Sequence, residues 1–487
     1  MTVLVIDVGS TSVRSSIVDA DGTVAHQTRR LAPPATPFPG LVEIDPTALA
    51  SVALECAELT LGEARQAGSR PDSLAVTAQR ASAVAWNART GAPVATGLAW
   101  QDLRTAGTCL ELQQRGLRLS PSESATKFAW QVQQALAEGV EPSAIRLGTV
   151  ESWVVWNLTR SGRHITDPSN AAVTGLYGIT GGTWNDAVLE ALGLERSWLP
   201  EVVDTCAEHG IAEALSVPLP LRCLVGDQQA SLAGQGATLP GLGKATFGTG
   251  GMLDICTGAA APGSAMRSGH GCFPIVAWRQ DGRVTWGVEA LMLTAGSAVE
   301  WLVEDLGVLS DAAESDSVAA SCDDSDGVVV VPAFLGQATP QWDFGARGAV
   351  FGLSRGSGVA HLVRAVLEGV AHGGADLLEA AEADSAMTIG SLRVDGGMSA
   401  NRVFLQALAD ACGRPVEVSP ELEATTVGAA YLAGLVDGTW DSLEDIAKAW
   451  RPKEIVVPSG RDPQRDRWRR AVERALGWHP ELSAIQF

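Results

Sequence analysis

Residues 2–19, TVLVIDVGSTSVRSSIVD, and residues 244–258, KATFGTGGMLDICTG, decide how this chain is read. Each has a strand-like run, a turn built from glycine and hydroxyl side chains, and a second strand-like run. The two share a pattern rather than an identity, which points to a duplicated α/β unit. Around the first copy the pattern continues to residue 30 as a β-meander, with a second turn at Asp21-Gly22. Residues 46–67 then carry apolar side chains at helical spacing. Strand-like runs follow at 74–86 and 97–105, and mixed helices and loops over 120–215. LRCLVGDQQASLAGQG (221–236) runs from a buried strand through Gly226-Asp227 into a helix. Beyond the second copy the spacing predicts helices near 289–306 and 358–383. SLRVDGGMSANRVFLQALADAC (391–412) reads as strand, Gly-Gly turn and helix. A division at 222/223 gives two α/β domains, 1–222 and 223–487, each of ordinary domain size.

Composition narrows the function. The 487 residues carry 35 Lys+Arg against 56 Asp+Glu, a formal net charge of −21, so most of the surface should repel nucleic acid and anionic lipid. No stretch approaches the ~20 apolar residues of a membrane span. The amino terminus has no basic region and reaches Asp7 after a short apolar run, unlike a signal peptide. Eight scattered cysteines without a CxxC pair read as reduced core thiols, and the chain is expected in the cytoplasm. DDSD (323–326) reads as a solvated acidic face, and RDPQRDRWRRAVER (461–474) as a surface helix docking on an acidic neighbour. The 53 glycines cluster after β-rich runs, where ligand-binding turns are made.

Four turns carry chemistry. In IDVGSTSVR (6–14) a strand-end carboxylate, Asp7, precedes a turn whose backbone N–H groups and hydroxyls suit phosphate oxygens, with Asp7 suited to a metal-bound water. A plain hairpin reads equally well. FGTGG (247–251) lets a ligand approach the backbone closely. VDGGMSANRVF (394–404) sets Gly396-Gly397 at a strand-to-helix turn, with Asn401 in the first helical turn, a surface on which a nucleotide base or ribose can lie. Neither a P-loop nor GxGxxG is present. In VGDQQA (225–230), Asp227 follows a buried strand at the lip of a helix, as a general base for a hydroxyl would; an N-cap is the equal alternative.

Further stretches carry a resemblance: SESATKFAW (122–130), ESWVVWNLT (151–159), ITDPSNA (165–171), VPAFLGQATPQWDFGARG (331–348), GAVFGLSRGSGVAHLVRAVLEG (348–369) and TTVGAAYLAG (425–434). In these, and in the four turns, the chain resembles the FGGY carbohydrate kinases over essentially its whole length, most closely their glycerol-kinase branch. The resemblance implies two ribonuclease-H-like domains of the actin/hexokinase type flanking a cleft, and Mg2+-ATP-dependent phosphorylation of a hydroxyl on a small polyol or sugar. It implies Asp7 as the magnesium-associated carboxylate, and Ser10, Thr11, Ser12 and Arg14 as the first phosphate hairpin. Thr249 matches the second phosphate loop, Gly296 and Glu300 lie on the nucleotide side, and Gly397 and Asn401 match the adenine side. Asp227 becomes the general base, with Gln228, Arg80, Trp100 and Ser122 as substrate neighbours. Where glycerol kinases have Arg-Glu this chain has Arg80-Ala81; Ser122 stands for a Tyr, Met252 for a Phe and Glu300 for a Gln. Those changes open the alternative of a larger polyol or ketose, such as erythritol, xylulose or ribulose. A non-catalytic sugar- or nucleotide-binding protein of the actin fold is a further alternative. The family also allows a homo-oligomer.

Overall fold

Val3–Val8 (β1) is buried along its whole length, as a strand covered on both faces must be. It pairs antiparallel with Ser12–Val18 (β2), which pairs with Val24–Leu31 (β3) to complete the expected meander. On its other side β1 runs parallel to Ser73–Ala78 (β4). An edge strand, Ile211–Ala212 (β5), and the long Leu219–Gly226 (β6), parallel to β4, complete a sheet of order β5-β6-β4-β1-β2-β3. The structure is a computed structural model and describes residues 2–179, 181–262, 267–420 and 423–485.

The second sheet repeats the plan. Gly243–Phe247 (β7) pairs antiparallel with Gly251–Gly258 (β8). Phe273–Gln280 (β9) and Arg283–Met292 (β10) follow, with β10 against β8. Leu392–Asp395 (β11), parallel to β7, Val416–Val418 (β12), parallel to β11, and Glu454–Val456 (β13) close the order β9-β10-β8-β7-β11-β12-β13. Strand for strand, β3-β2-β1-β4-β6 matches β10-β8-β7-β11-β12 in order and direction, so the duplication lies in the topology.

Helices cover the sheets. Pro46–Gln66 (α1), capped by Asp45, packs on β2 and β3. Asp227–Gly234 (α2) follows β6, and Gly296–Glu304 (α3) follows β10. Val359–Ser385 (α4) spans the outer face of the second sheet. Arg402–Cys412 (α5) separates β11 from β12, Ala424–Asp437 (α6) follows β12, and Arg465–Ala475 (α7) lies near the carboxyl end. As its charge pattern predicts, α7 docks on acidic residues of α4: Arg465 reaches Asp376 (2.6 Å) and Glu379 (2.9 Å), and the Trp468 indole donates to Asp376 (2.7 Å). The eight cysteines are free thiols, six of them buried.

Three expectations change. The helix expected over 289–306 is two elements, because residues 283–292 are held by ladders with β8 and β9 and the helix begins only at Gly296. The run at 74–86 breaks after Ala78, turns through Ala81 in the left-handed region (φ 61°), and resumes as the short strand Val84–Asn87. The division at 222/223 would cut β6, and the repeated plan makes α2 the last helix of the first unit, so the junction falls between Gly234 and Gly243.

The final helices of the two units, α2 and α6, cross between the sheets. A Cβ on Gly234 would stand 1.9 Å from the Ala424 carbonyl oxygen, and one on Gly428 would stand 1.7 Å from that of Ala230. Backbone cannot yield as a side-chain tip can, so both positions exclude any larger residue. Gly428→Ala should therefore cost about 3 kcal/mol or more. Gly62→Ala, on α1 with nothing within 4 Å of the new methyl, should gain about 0.5–1 kcal/mol. Urea unfolding midpoints of the two variants test this, and equal stabilities would contradict the crossing.

Candidate active site

The first turn brings three carboxylates towards one another. Asp7 is at the end of β1, its side chain 10% exposed, opposite Arg14 on β2, whose Nη1 lies 3.8 Å from Asp7 Oδ2. The same guanidinium pairs with Glu423, the residue just before α6. Burial pushes the Asp7 carboxyl up to about 7; Arg14 opposes the shift, and the charges of Asp227 and Glu423 add to it. At the turn, Ser10 Oγ accepts from the Trp100 indole (3.2 Å), and buried Ser12 Oγ accepts from Arg29 Nε (3.1 Å). Thr11 is exposed at the tip.

The start of α2 is anchored from below. Gly226 N donates to Ser169 Oγ (2.9 Å), and Ser169 donates to Asp167 (2.8 Å), a buried carboxylate that also accepts from Thr205 (2.7 Å) and Asn170. The motif ITDPSNA is thus a support for the residue before Asp227. Gly226 holds the N-cap position and Asp227 is the first helical residue. Its Oδ1 accepts from Gln228 N (2.8 Å) and lies 3.7 Å from Arg80 Nε, while Oδ2 takes no hydrogen bond from the described residues. Burial raises the Asp227 carboxyl above the ordinary carboxylate range; Arg80 and, less strongly, Lys244 pull it back, and Asp254 adds to the rise.

Facing α2, three charged residues sit side by side across the second sheet: Lys244 on β7, Asp254 on β8 and Glu289 on β10. Lys244 Nζ lies 2.8 Å from Asp254 Oδ2, and Glu289 receives Arg80 Nη2 at 2.6 Å from the other unit. Arg80 Nη2 also approaches Met252 Sδ (3.6 Å), and its buried Nη1 has no partner among the described residues. Glu289 is pushed up by burial, with Arg80 opposing.

The remaining predicted residues fall in two groups. Trp100 and Ser122 are drawn together by buried Lys127, whose Nζ donates to both their carbonyls (3.1 and 3.3 Å). On the second turn, exposed Thr249 accepts at its carbonyl from Ala295 N and Ser297 N, and Gly296 N donates to Gly248 O (2.8 Å), so α3 starts against the turn. Gly397 is exposed, with open space where a Cβ would be. Asn401 is the N-cap of α5 rather than a first-turn residue: its oxygen accepts from Phe404 N (2.8 Å) and its nitrogen donates to Ser315 (3.0 Å). Glu300 is exposed on α3. Sequence reasoning passed over Lys244, Asp254, Glu289 and Glu423. The signal available for the first three was a charge placed inside an otherwise apolar strand.

Residues 2–234 match the N-terminal domain of the FGGY family of carbohydrate kinases, and residues 243–436 its C-terminal domain. A glycerol kinase of Aromatoleum aromaticum is 38% identical across 98% of this chain and 99% of its own length. Glycerol kinase 2 of Thermotoga maritima is 37% identical over the same shares. The solved structure of Plasmodium falciparum glycerol kinase with ADP is similar with a TM-score of 0.87 at 26% identity, covering 100% of this chain and 99% of that one. A xylulose kinase from Rhodospirillum rubrum shares the fold, with a TM-score of 0.83 at 24% identity over 97% and 98% of the two chains.

Asp227 is expected to titrate above the ordinary carboxylate range. A guanidinium favours the charged form, so Arg80→Gln should carry that titration higher still. Side-chain carboxyl NMR of aspartate-labelled protein, assigned with Asp227→Asn, measures both; a downward shift in Arg80→Gln would refute the electrostatic assignment.

Proposed function

The chain belongs to the FGGY family of carbohydrate kinases and is an ATP-dependent kinase of a polyol or sugar, and from that premise we propose that Asp227 is the base that takes the proton of the acceptor hydroxyl. One observation carries the proposal: the Asp227 carboxylate stands at the start of a helix beside Arg80, with one oxygen unengaged and the carboxyl poised upward by burial. As the hydroxyl oxygen attacks the γ-phosphoryl group, its proton passes to Asp227. The Arg80 charge, held by Glu289, opposes the rise that burial imposes on the Asp227 carboxyl and so favours its charged form. The exposed hydroxyls of Thr11 and Thr249, with the N–H groups of both glycine turns, face the phosphates and balance the charge of the group in transfer.

Asp7 offers hard oxygen in a neighbourhood already rich in carboxylate charge, which suits a divalent cation. No group of three or more His, Cys, Asp or Glu side chains among the described residues could cage a metal, so the residues fit a Mg2+ that arrives on the nucleotide and keeps most of its water. Bound there, the ion would neutralise charge on the β- and γ-phosphates. No helix among the described residues is long and apolar enough to cross a membrane, and we place the reaction in the cytoplasm, where ATP is supplied.

Glycerol or a close polyol is the proposed acceptor, its hydroxyls meeting Arg80, Gln228 and the Trp100 face. A larger polyol or a ketose is the second reading. It is favoured by Ala81 and Ser122, whose short side chains stand where the glycerol-kinase branch has Glu and Tyr, and by Arg80 Nη1, which has no partner among the described residues. Asp227→Asn should lower phosphoryl transfer by about 10²–10⁴-fold while leaving nucleotide affinity within about twofold. Coupled ADP release and calorimetry with a non-hydrolysable ATP analogue read the two effects separately, and an active Asp227→Asn enzyme would sink the base. A panel of C3–C6 polyols and ketoses, ranked by kcat/KM, decides between glycerol and the larger acceptors.

A further inference from the structure

Lys244 is wholly buried; its ammonium donates to Gln228 Oε1 (2.9 Å) and Thr246 Oγ1 (3.2 Å) and lies 2.8 Å from Asp254 Oδ2 as an ion pair. An ammonium donates and never accepts, so the Gln228 carboxamide must turn its oxygen to Lys244 and its NH2 away. The flipped amide would set donor against donor. Asp254 is equally buried and stands beside Lys244 across the ladder, so it balances a charge that would otherwise be buried alone. Gln228 directly follows Asp227, and its Nε2 has no hydrogen-bond partner among the described residues.

Resting on the reading of Asp227 and Gln228 as acceptor-site residues, we propose that Lys244, anchored by Asp254, is a positioning residue that locks Gln228 in one amide orientation. The acceptor then meets a fixed N–H donor beside the carboxylate that takes its proton. Neither Lys244 nor Asp254 touches the substrate in this arrangement; both act through Gln228. Lys244 also draws the Asp227 carboxyl down and Asp254 raises it, so the charges of the pair oppose one another at the base. The device is therefore one of orientation rather than charge.

Lys244→Met alone would strand a buried carboxylate and endanger the fold. The informative variant replaces the pair, Lys244→Met/Asp254→Leu, which removes both charges together and strands neither. It is measured with glycerol and with the best acceptor of the C3–C6 panel, alone and in the Gln228→Ala background. The paired change should raise acceptor KM about tenfold, leave the KM for ATP within about twofold, and add nothing further once Gln228 is Ala. Asp254→Asn, which keeps the shape but removes the charge beside Lys244, gives a milder version with an expected rise of about threefold. An unmoved acceptor KM, or effects that multiply in the Gln228→Ala background, would overturn the positioning role while leaving the acceptor site intact. An acceptor KM indifferent to Gln228→Ala would overturn the acceptor-site reading itself.

Discussion

Everything in this molecule is arranged around a crossing with no clearance. The helices α2 and α6 meet through Ala230 and Gly234 on one and Ala424 and Gly428 on the other, small residues four apart on both, so that backbone touches backbone. On one side α6 packs against β1, β4 and β6; on the other α2 packs against β8 and β9. The two sheets are thus joined through a contact whose geometry is set by main chain, which does not change rotamer. Because Asp227 is the first residue of α2, its position is inherited from that contact and from the Ser169 bond to Gly226.

The second constraint is electrical. Glu289, Asp254, Lys244, Arg393 and Glu417 form one row across β10, β8, β7, β11 and β12, all on the sheet face turned towards α2. Their neighbours along the strands, among them Ala245, Leu253, Val288 and Val394, point the other way into the apolar core. A row of charges at this depth is tolerated only because each has a partner: Lys244 with Asp254, Arg393 with Glu417 (3.6 Å) and with the Trp450 ring (4.1 Å), and Glu289 with Arg80 from the opposite unit. The result is a wall of paired charges behind Asp227 and Gln228.

Much of this was legible in the chain. The meander, α1, the β6-to-α2 step and the Gly-Gly turn follow from local periodicity and turn chemistry, which act over a few residues. The helix α7 was legible because its basic face needed an acidic one. What local pattern cannot carry is pairing at a distance. Arg80 and Glu289 are 209 positions apart, and only the meeting of two units gives Glu289 a reason to exist in an apolar strand. Residues 289–292 were read as the start of a helix, yet the ladders on both sides fix them as the end of a strand. The junction was misplaced for the same reason: α2 belongs to the first unit by topology, which no window of sequence displays. Asn401 was placed near its true position, but its side chain is spent on capping and on Ser315.

The crossing has one more implication. Each unit contributes its own last helix, and Gly234 meets Ala424 as Gly428 meets Ala230, the reciprocal form in which two identical subunits meet across a two-fold axis. Two separate copies of one unit would have to carry the same residues at both helix starts, and hence two identical half-sites. Joined in a single chain, the starts are free to differ: one carries Asp227 and Gln228 beside Arg80, the other presents Glu423 to Arg14. Tethering thus turns a symmetric dimer contact into an asymmetric one, with two differently equipped helix starts built from what topology makes the same part.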